Sequence, residues 1–149
     1  MALTKASEER LNDLLPFAQD VLREFLLLCH QNGYNVQITS GFRTIEEQNA
    51  LFKKPQKVTN AKGGQSMHNY RIAIDVVLID DKGKADWNPV KYGELWKLAL
   101  KAGLHKKGLT WAGNWKGFSE LVHFDVSSGK TWQEIAKLYP YETEKKALA

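Results

Sequence analysis

The stretch Gln65–Asp80, QSMHNYRIAIDVVLID, holds the most secure strand of the chain and the residues that give it chemistry. From Arg71 onward the run RIAIDVVLID is rich in β-branched residues and is closed by the turn DDKGK, which together predict a strand. His68 stands at the mouth of that strand and Asp75 within it, seven positions on. A turn histidine beside an unrelated strand carboxylate would account for the pair. So would two ligands of a metal site whose third ligand lies elsewhere in the chain.

Working outward, the first long apolar pattern runs from about Glu8 to Gln31, with Pro16 allowing a break and Asn32-Gly33 a stop. YNVQITSGF reads as a strand with Val36, Ile38 and Ser40 on one face. Thr44 and Glu47 form a capping-box signature that opens a helix, TIEEQNALFKK. The polar segment 55–65, with Gly63-Gly64, reads as an exposed loop. Asn88-Pro89 starts the helix PVKYGELWKLALKAG, LVHFDV is a short strand, and Thr131 with Glu134 opens the last helix, TWQEIAKLY. Helices alternating with strands that can pair as hairpins predict an α+β fold, a small antiparallel sheet with flanking helices. The 149 residues fit one domain, so 1–149 is read as a single domain, and the tail YETEKKALA is expected to be too short and polar to form a second.

The 43% hydrophobic content suffices for a core. Cys29 is the only cysteine and sits in EFLLLCHQ, which predicts a buried small hydrophobe rather than a nucleophile. No run approaches the roughly 20 apolar residues of a membrane span, so no stable membrane insertion is expected. MALTKASEERLND lacks a charged region followed by an apolar one, so accumulation in the cytoplasm is expected. The net charge of +4 favours polyanions only weakly, and the basic residues are scattered (FKKPQK, HKK, EKK). Nucleic acid is therefore not the expected partner, and an acidic cell-wall polymer is compatible.

There are four histidines. His30 ends the first helical region and reads as a C-terminal cap; His105, in GLHKKG, reads as solvent-facing. His123 lies in SELVHFDV, three residues after Glu120. A catalytic zinc takes three protein ligands and keeps one position for water; His68, Asp75 and His123 would supply nitrogen, oxygen and nitrogen. A base must still accept the proton of the attacking water, and Glu120 could do so. Residues three apart in a bare strand point to opposite faces, so this role demands a turn or bulge near Leu121. Arg43, between a strand and a capped helix in TSGFRT, could hold a substrate carbonyl and its oxyanion, or form a surface pair with Glu46 or Glu47.

SGFR, SMHNYRIAID, GLTWAGNWKGF and ELVHF together resemble the L-alanyl-D-glutamate endopeptidases of the zinc D-Ala-D-Ala peptidase family, a group that includes phage endolysins and shares its core with the hedgehog domain. The match runs in order from about Val36 to Phe124. The resemblance implies one catalytic Zn2+ held by His68, Asp75 and His123, with Glu120 as acid and base and Arg43 as catalytic and substrate-binding residue. It places Ser66, Trp111 and Trp115 along the substrate cleft. It implies hydrolysis of peptidoglycan stem peptides, most naturally between L-Ala and D-Glu, by an endolysin-type monomer that reaches the wall after the membrane is opened. A D-Ala-D-Ala carboxypeptidase or dipeptidase, and a non-catalytic zinc-stabilised wall-binding module, are the alternatives. Three positions depart from the family pattern: Arg71 replaces a usual glycine, Glu120 a usual aspartate, and WAGNW the commoner W-G-G-D-W. Asp125 has no assigned role; it could support His123, bind a second cation or be solvated.

Overall fold

In the computed structural model, residues 2–56, 58–116 and 119–143 are described. Gly117 and Phe118, the end of GLTWAGNWKGF, and the last six residues of the tail lie outside them.

The first apolar pattern resolves into two helices, α1 (Lys5–Asn12) and α2 (Pro16–Gln31). Thr4 caps α1 by accepting from Ser7 N, and Pro16 starts α2 in the first turn, where its missing N–H costs nothing. Leu22, Phe25, Leu26 and Cys29 recur at helical spacing along α2 and are fully buried. Strand β1 (Val36–Ser40) follows, then α3 (Ile45–Phe52), opened by the Thr44–Glu47 capping box. A 3-10 turn over Met67–Tyr70 leads into β2 (Ala73–Ile79), with β3 (Ala85–Asp86) hairpinned against its end. Helix α4 (Pro89–Lys101) is capped by Asn88, and Tyr92 on it pins the hairpin: its hydroxyl accepts from Leu78 N and donates to Asp86 O. The chain ends with β4 (Thr110–Trp111), β5 (His123–Asp125) and α5 (Trp132–Leu138), again opened by a capping box.

The sheet order is β1-β2-β5-β4, antiparallel throughout, with β3 beside β2. Side chains alternate faces along a strand. Ile74, Val76, Leu78 and Phe124 therefore join Leu22, Phe25, Leu26, Tyr92 and Leu95 in one apolar cluster, with Phe124 and Phe25 ring centroids 4.7 Å apart. Asp75, His123 and Asp125 are left on the opposite face.

Two local expectations need correction. Val36 and Ile38 keep the core face of β1, but the register slips between Ile38 and Ser40, so Ser40 comes opposite Asp75 instead. One extra residue in a strand turns everything beyond it to the other face. His30 does more than end a helix: it is buried, and its Nε2 lies 2.8 Å from the Val36 carbonyl, where it ties α2 to β1. The strand passing beneath the helix end supplies a specific acceptor that a single helix pattern cannot show. His105 is exposed, as read.

Candidate metal centre

Asp75 and His123 are direct partners in the β2–β5 ladder. Cross-strand partners carry their Cβ atoms about 5 Å apart on one face, so the ladder alone brings the two side chains together. His68 arrives from the Met67–Tyr70 turn, where Ser66 Oγ accepts from His68 N and Asn69 Oδ1 accepts from Ser66 N. The turn is bound to the loop after β1: Arg43 N donates to His68 O at 3.0 Å, and Asn69 Nδ2 donates to Arg43 O at 2.9 Å. Ser66 thus acts on the backbone of the site while lining the cleft.

Three donor atoms converge. His68 Nε2 lies 3.1 Å from Asp75 Oδ1, His123 Nδ1 lies 3.2 Å from His68 Nε2, and His123 Nδ1 lies 3.4 Å from Asp75 Oδ1. Ligands about 2.05 Å from a tetrahedral zinc are about 3.3 Å apart, so the triangle has the size of one face of such a site. The outer nitrogens fix the tautomers. His68 Nδ1 faces Gly41 O at 2.7 Å and His123 Nε2 faces Asp125 Oδ2 at 2.8 Å; both acceptors require an N–H. In neutral rings the inner nitrogens then carry lone pairs directed at each other and at a carboxylate, an arrangement that suits a cation at their centre. The donor set fits a divalent metal.

The electrostatics agree. Burial opposes the charge of Asp75, but His68 and His123 outweigh it and hold the carboxyl well below the usual range. Burial also opposes a charge on His123, yet its bonds to Asp125 and Asp75 raise it to about 10. Neutral His123 is therefore reached through displacement of a proton by a competing cation. Glu120 Oε2 is 3.9 Å from His123 Nδ1, and burial raises the Glu120 carboxyl above its ordinary value. The turn demanded near Leu121 is present: Ala112 O accepts from Glu120 N, Trp111 Nε1 donates to Leu121 O at 2.8 Å, and β5 begins only at His123. That support depends on Gly113, where a Cβ would fall 2.0 Å from the Trp111 ring.

Arg43 turns inward rather than to Glu46 or Glu47. Its guanidinium donates to Gln48 Oε1 at 2.7 Å and to Ser40 Oγ at 3.2 Å, and reaches Asp75 Oδ2 at 3.5 Å. Glu47 is committed to the α3 capping box. Arg43, Ser66, His68, Asp75, Trp115, Glu120 and His123 all line one open cleft of about 660 Å³. Trp111 does not line it; its ring packs on Phe124 and Trp96 and its N–H holds the Leu121 turn.

One departure, Arg71, and the unassigned Asp125 acquire a physical account. Arg71 takes the left-handed conformation glycine favours, with φ 62° and ψ 36°. Its side chain leaves the cleft, stacks 3.7 Å over Phe42, and donates to Asp13 Oδ1 and O and to the carbonyls of Glu142 and Thr143. Asp125 is buried beside His123: Oδ2 holds the His123 ring, while Oδ1 accepts from Thr110 Oγ1 and Ser127 N. The signal for this was legible, since residues two apart in a strand share a face.

A model of the D-alanyl-D-alanine carboxypeptidase family matches residues 59–126. The chain is 32% identical over 125 residues to the peptidoglycan L-alanyl-D-glutamate endopeptidase CwlK of Bacillus subtilis, a match covering 77% of this chain and 74% of that protein. Its fold resembles the crystal structure of the L-Ala D-Glu endopeptidase ChiX of Serratia marcescens, with a TM-score of 0.64 and 23% identity over 85% of this chain and 90% of that one. It also resembles the vancomycin-resistance D,D-pentapeptidase VanY in complex with Zn(II), with a TM-score of 0.52 and 17% identity over 85% and 78% of the two chains. The convergence of His68, Asp75 and His123 and the extent of these matches lead to one conclusion: the chain belongs to the D-alanyl-D-alanine carboxypeptidase family of zinc-dependent metallopeptidases.

Proposed function

We propose that the chain is a peptidoglycan endopeptidase that hydrolyses the stem peptide between L-Ala and D-Glu, with His68, Asp75 and His123 as zinc ligands. The observation that carries this reading is the gathering of three ligand atoms, a carboxylate with a raised pKa and an arginine on the wall of one open cleft. The activity printed for the 32% identical relative supports the choice of bond.

Zinc, when bound there, lowers the pKa of water and polarises the substrate carbonyl. Glu120 takes the proton of the attacking water, which its raised pKa suits, and returns it to the leaving amine. Arg43 is held by Gln48 and Ser40 on the wall of the cleft, where it would receive the carbonyl oxygen as it gains charge. Asp125 accepts the Nε2 proton of His123, so Nδ1 is the nitrogen that gives up its proton to a bound metal, and Trp115, 44% exposed and 5.4 Å from the His123 ring, walls the reacting end.

Purified sacculi incubated with the protein should release L-Ala carboxyl and D-Glu amino ends. A chelator or Glu120→Ala should abolish them; cleavage that persists in either case would refute the mechanism. A D-Ala-D-Ala carboxypeptidase is the second reading, favoured by glutamate at position 120; it would release single D-Ala and leave the stem attached. A zinc-stabilised binding module would need an ion enclosed by protein donors, whereas the cluster found among the described residues has three ligand groups and opens to the cleft. An endolysin role, with cytoplasmic accumulation before membrane opening, belongs to the same proposal and draws on the resemblance to phage enzymes. Its appearance in the medium of intact, growing cells would contradict it.

A further inference from the structure

A second groove of about 600 Å³ adjoins the catalytic cleft, and Met67 and Trp115 line both. Its floor is the Thr110–Asp125–Ser127 network that holds His123 from behind. The rim carries Lys106 and Lys130, both exposed, together with His105. Asp125 is the acidic residue of the lining, but it is 1% exposed and committed to three hydrogen bonds, so it presents little charge to a ligand. Glu134 is near enough to feel Lys130, yet its carboxylate is taken by the Thr131 cap. Lys107, beside Lys106, is paired instead with Glu24 at 2.9 Å. Among the described residues Lys106 and Lys130 form no salt bridge.

The rim is built rather than loose. Lys106 lies on the 3-10 turn Leu104–Lys107, packed against α4. Lys130 follows Ser128, a non-glycine residue at φ 55°, whose N–H is held by Gly108 O at 2.9 Å. A side chain persists in that strained region only where its surroundings fix it.

A substrate strand with its scissile amide at the metal centre must extend in two directions. The catalytic cleft offers Leu51, Val58 and Trp132 to one arm. The other arm, passing Trp115 and Met67, meets the cationic groove. The two arms of the stem peptide differ in charge in the same sense: the L-Ala side carries no carboxylate, whereas D-Glu, joined through its γ-carboxyl, keeps a free α-carboxylate and is followed by a diamino acid. Resting on the endopeptidase reading above, we propose that the second groove binds the carboxylate-bearing arm downstream of the cleaved bond, with Lys106 and Lys130 as its charge partners.

The test uses γ-D-glutamyl-L-lysine amide, whose one carboxylate is the α-carboxylate of D-Glu, and the same peptide with that group amidated, titrated into the zinc-loaded protein and followed by NMR. The indole N–H of Trp111 and the amides of Lys106 and Lys130 should shift with the carboxylate peptide. Lys106→Gln/Lys130→Gln should weaken that peptide about three- to tenfold, from two exposed charge pairs, and leave the amide unchanged. Shifts confined to the catalytic cleft, or equal losses for both peptides, would overturn the proposal. Cleavage of sacculi with no shift at the groove would overturn it while leaving the endopeptidase reading intact. Groove binding without cleavage would sink that reading and, with it, the assignment of the arms.

Discussion

Replacing Asp125 by asparagine should weaken zinc binding while the fold survives, because the carboxylate fixes which nitrogen of His123 is free. Asp125 Oδ2 accepts from His123 Nε2 at 2.8 Å, and Oδ1 accepts from Ser127 N at 3.2 Å. Asparagine can match only one of these. If its oxygen faces His123, its NH2 opposes the Ser127 N–H and a charge-assisted bond becomes a neutral one. If its NH2 faces His123, the imidazole proton must move to Nδ1 and the ligand lone pair is lost. Partners of this kind are worth about 10- to 100-fold in metal affinity, or about 1.4 to 2.7 kcal/mol. Competition against a chromophoric zinc chelator measures the loss directly, with circular dichroism reporting whether the metal-free fold is kept. A folded Asp125→Asn protein that binds zinc within about twofold of the parent would refute the tautomer argument, since even one order of magnitude would be missing.

Three further outcomes follow from the same geometry. Burial raises the Glu120 carboxyl in the metal-free protein, so NMR of that form should place its titration above the usual glutamate pKa of about 4.3; a midpoint at or below that value would contradict the burial of this carboxylate. Arg71→Ala should cost about 2 to 3 kcal/mol in urea unfolding, from the lost bonds to Asp13 and the C-terminal carbonyls. Arg71→Gly should be about 1 kcal/mol less damaging than alanine because the left-handed backbone is then unstrained, and the opposite order would contradict the account of that position. Phe124→Ala, which empties a fully buried site against Phe25 and Trp111, should lower stability by about 3 to 5 kcal/mol in the same assay, and a loss under about 1 kcal/mol would contradict the packing.

Elements whose signals are local were legible in the chain. Thr44 with Glu47 and Thr131 with Glu134 each form the capping box their spacing implies, and Asn88-Pro89 and Asn32-Gly33 bound helices as read. β2 was legible from its β-branched run. The two-residue strands β3 and β4 were not, because they exist only as partners of β2 and β5. Nor was the slip that turns Ser40 toward Arg43, since register belongs to a pair of strands and not to one. His68, Asp75 and His123 came from spacing and resemblance, and the ladder between β2 and β5 supplies the physical reason two of them meet. The direction of each imidazole depends on the Gly41 carbonyl and the Asp125 carboxylate, distant or orientation-dependent partners that spacing alone leaves open. Trp111 shows the reverse limit: a tryptophan motif marks the region, while only packing shows that this ring braces the Glu120 turn and Trp115 faces the cleft.

The most direct measurement is a crystal structure of the zinc-loaded protein with anomalous scattering at the zinc edge. The account predicts one ion bound by His68 Nε2, an Asp75 oxygen and His123 Nδ1 at about 2.0 to 2.2 Å, with solvent at the remaining corner. An ion held through His123 Nε2, closed by a fourth protein ligand, or absent from these three side chains would contradict it.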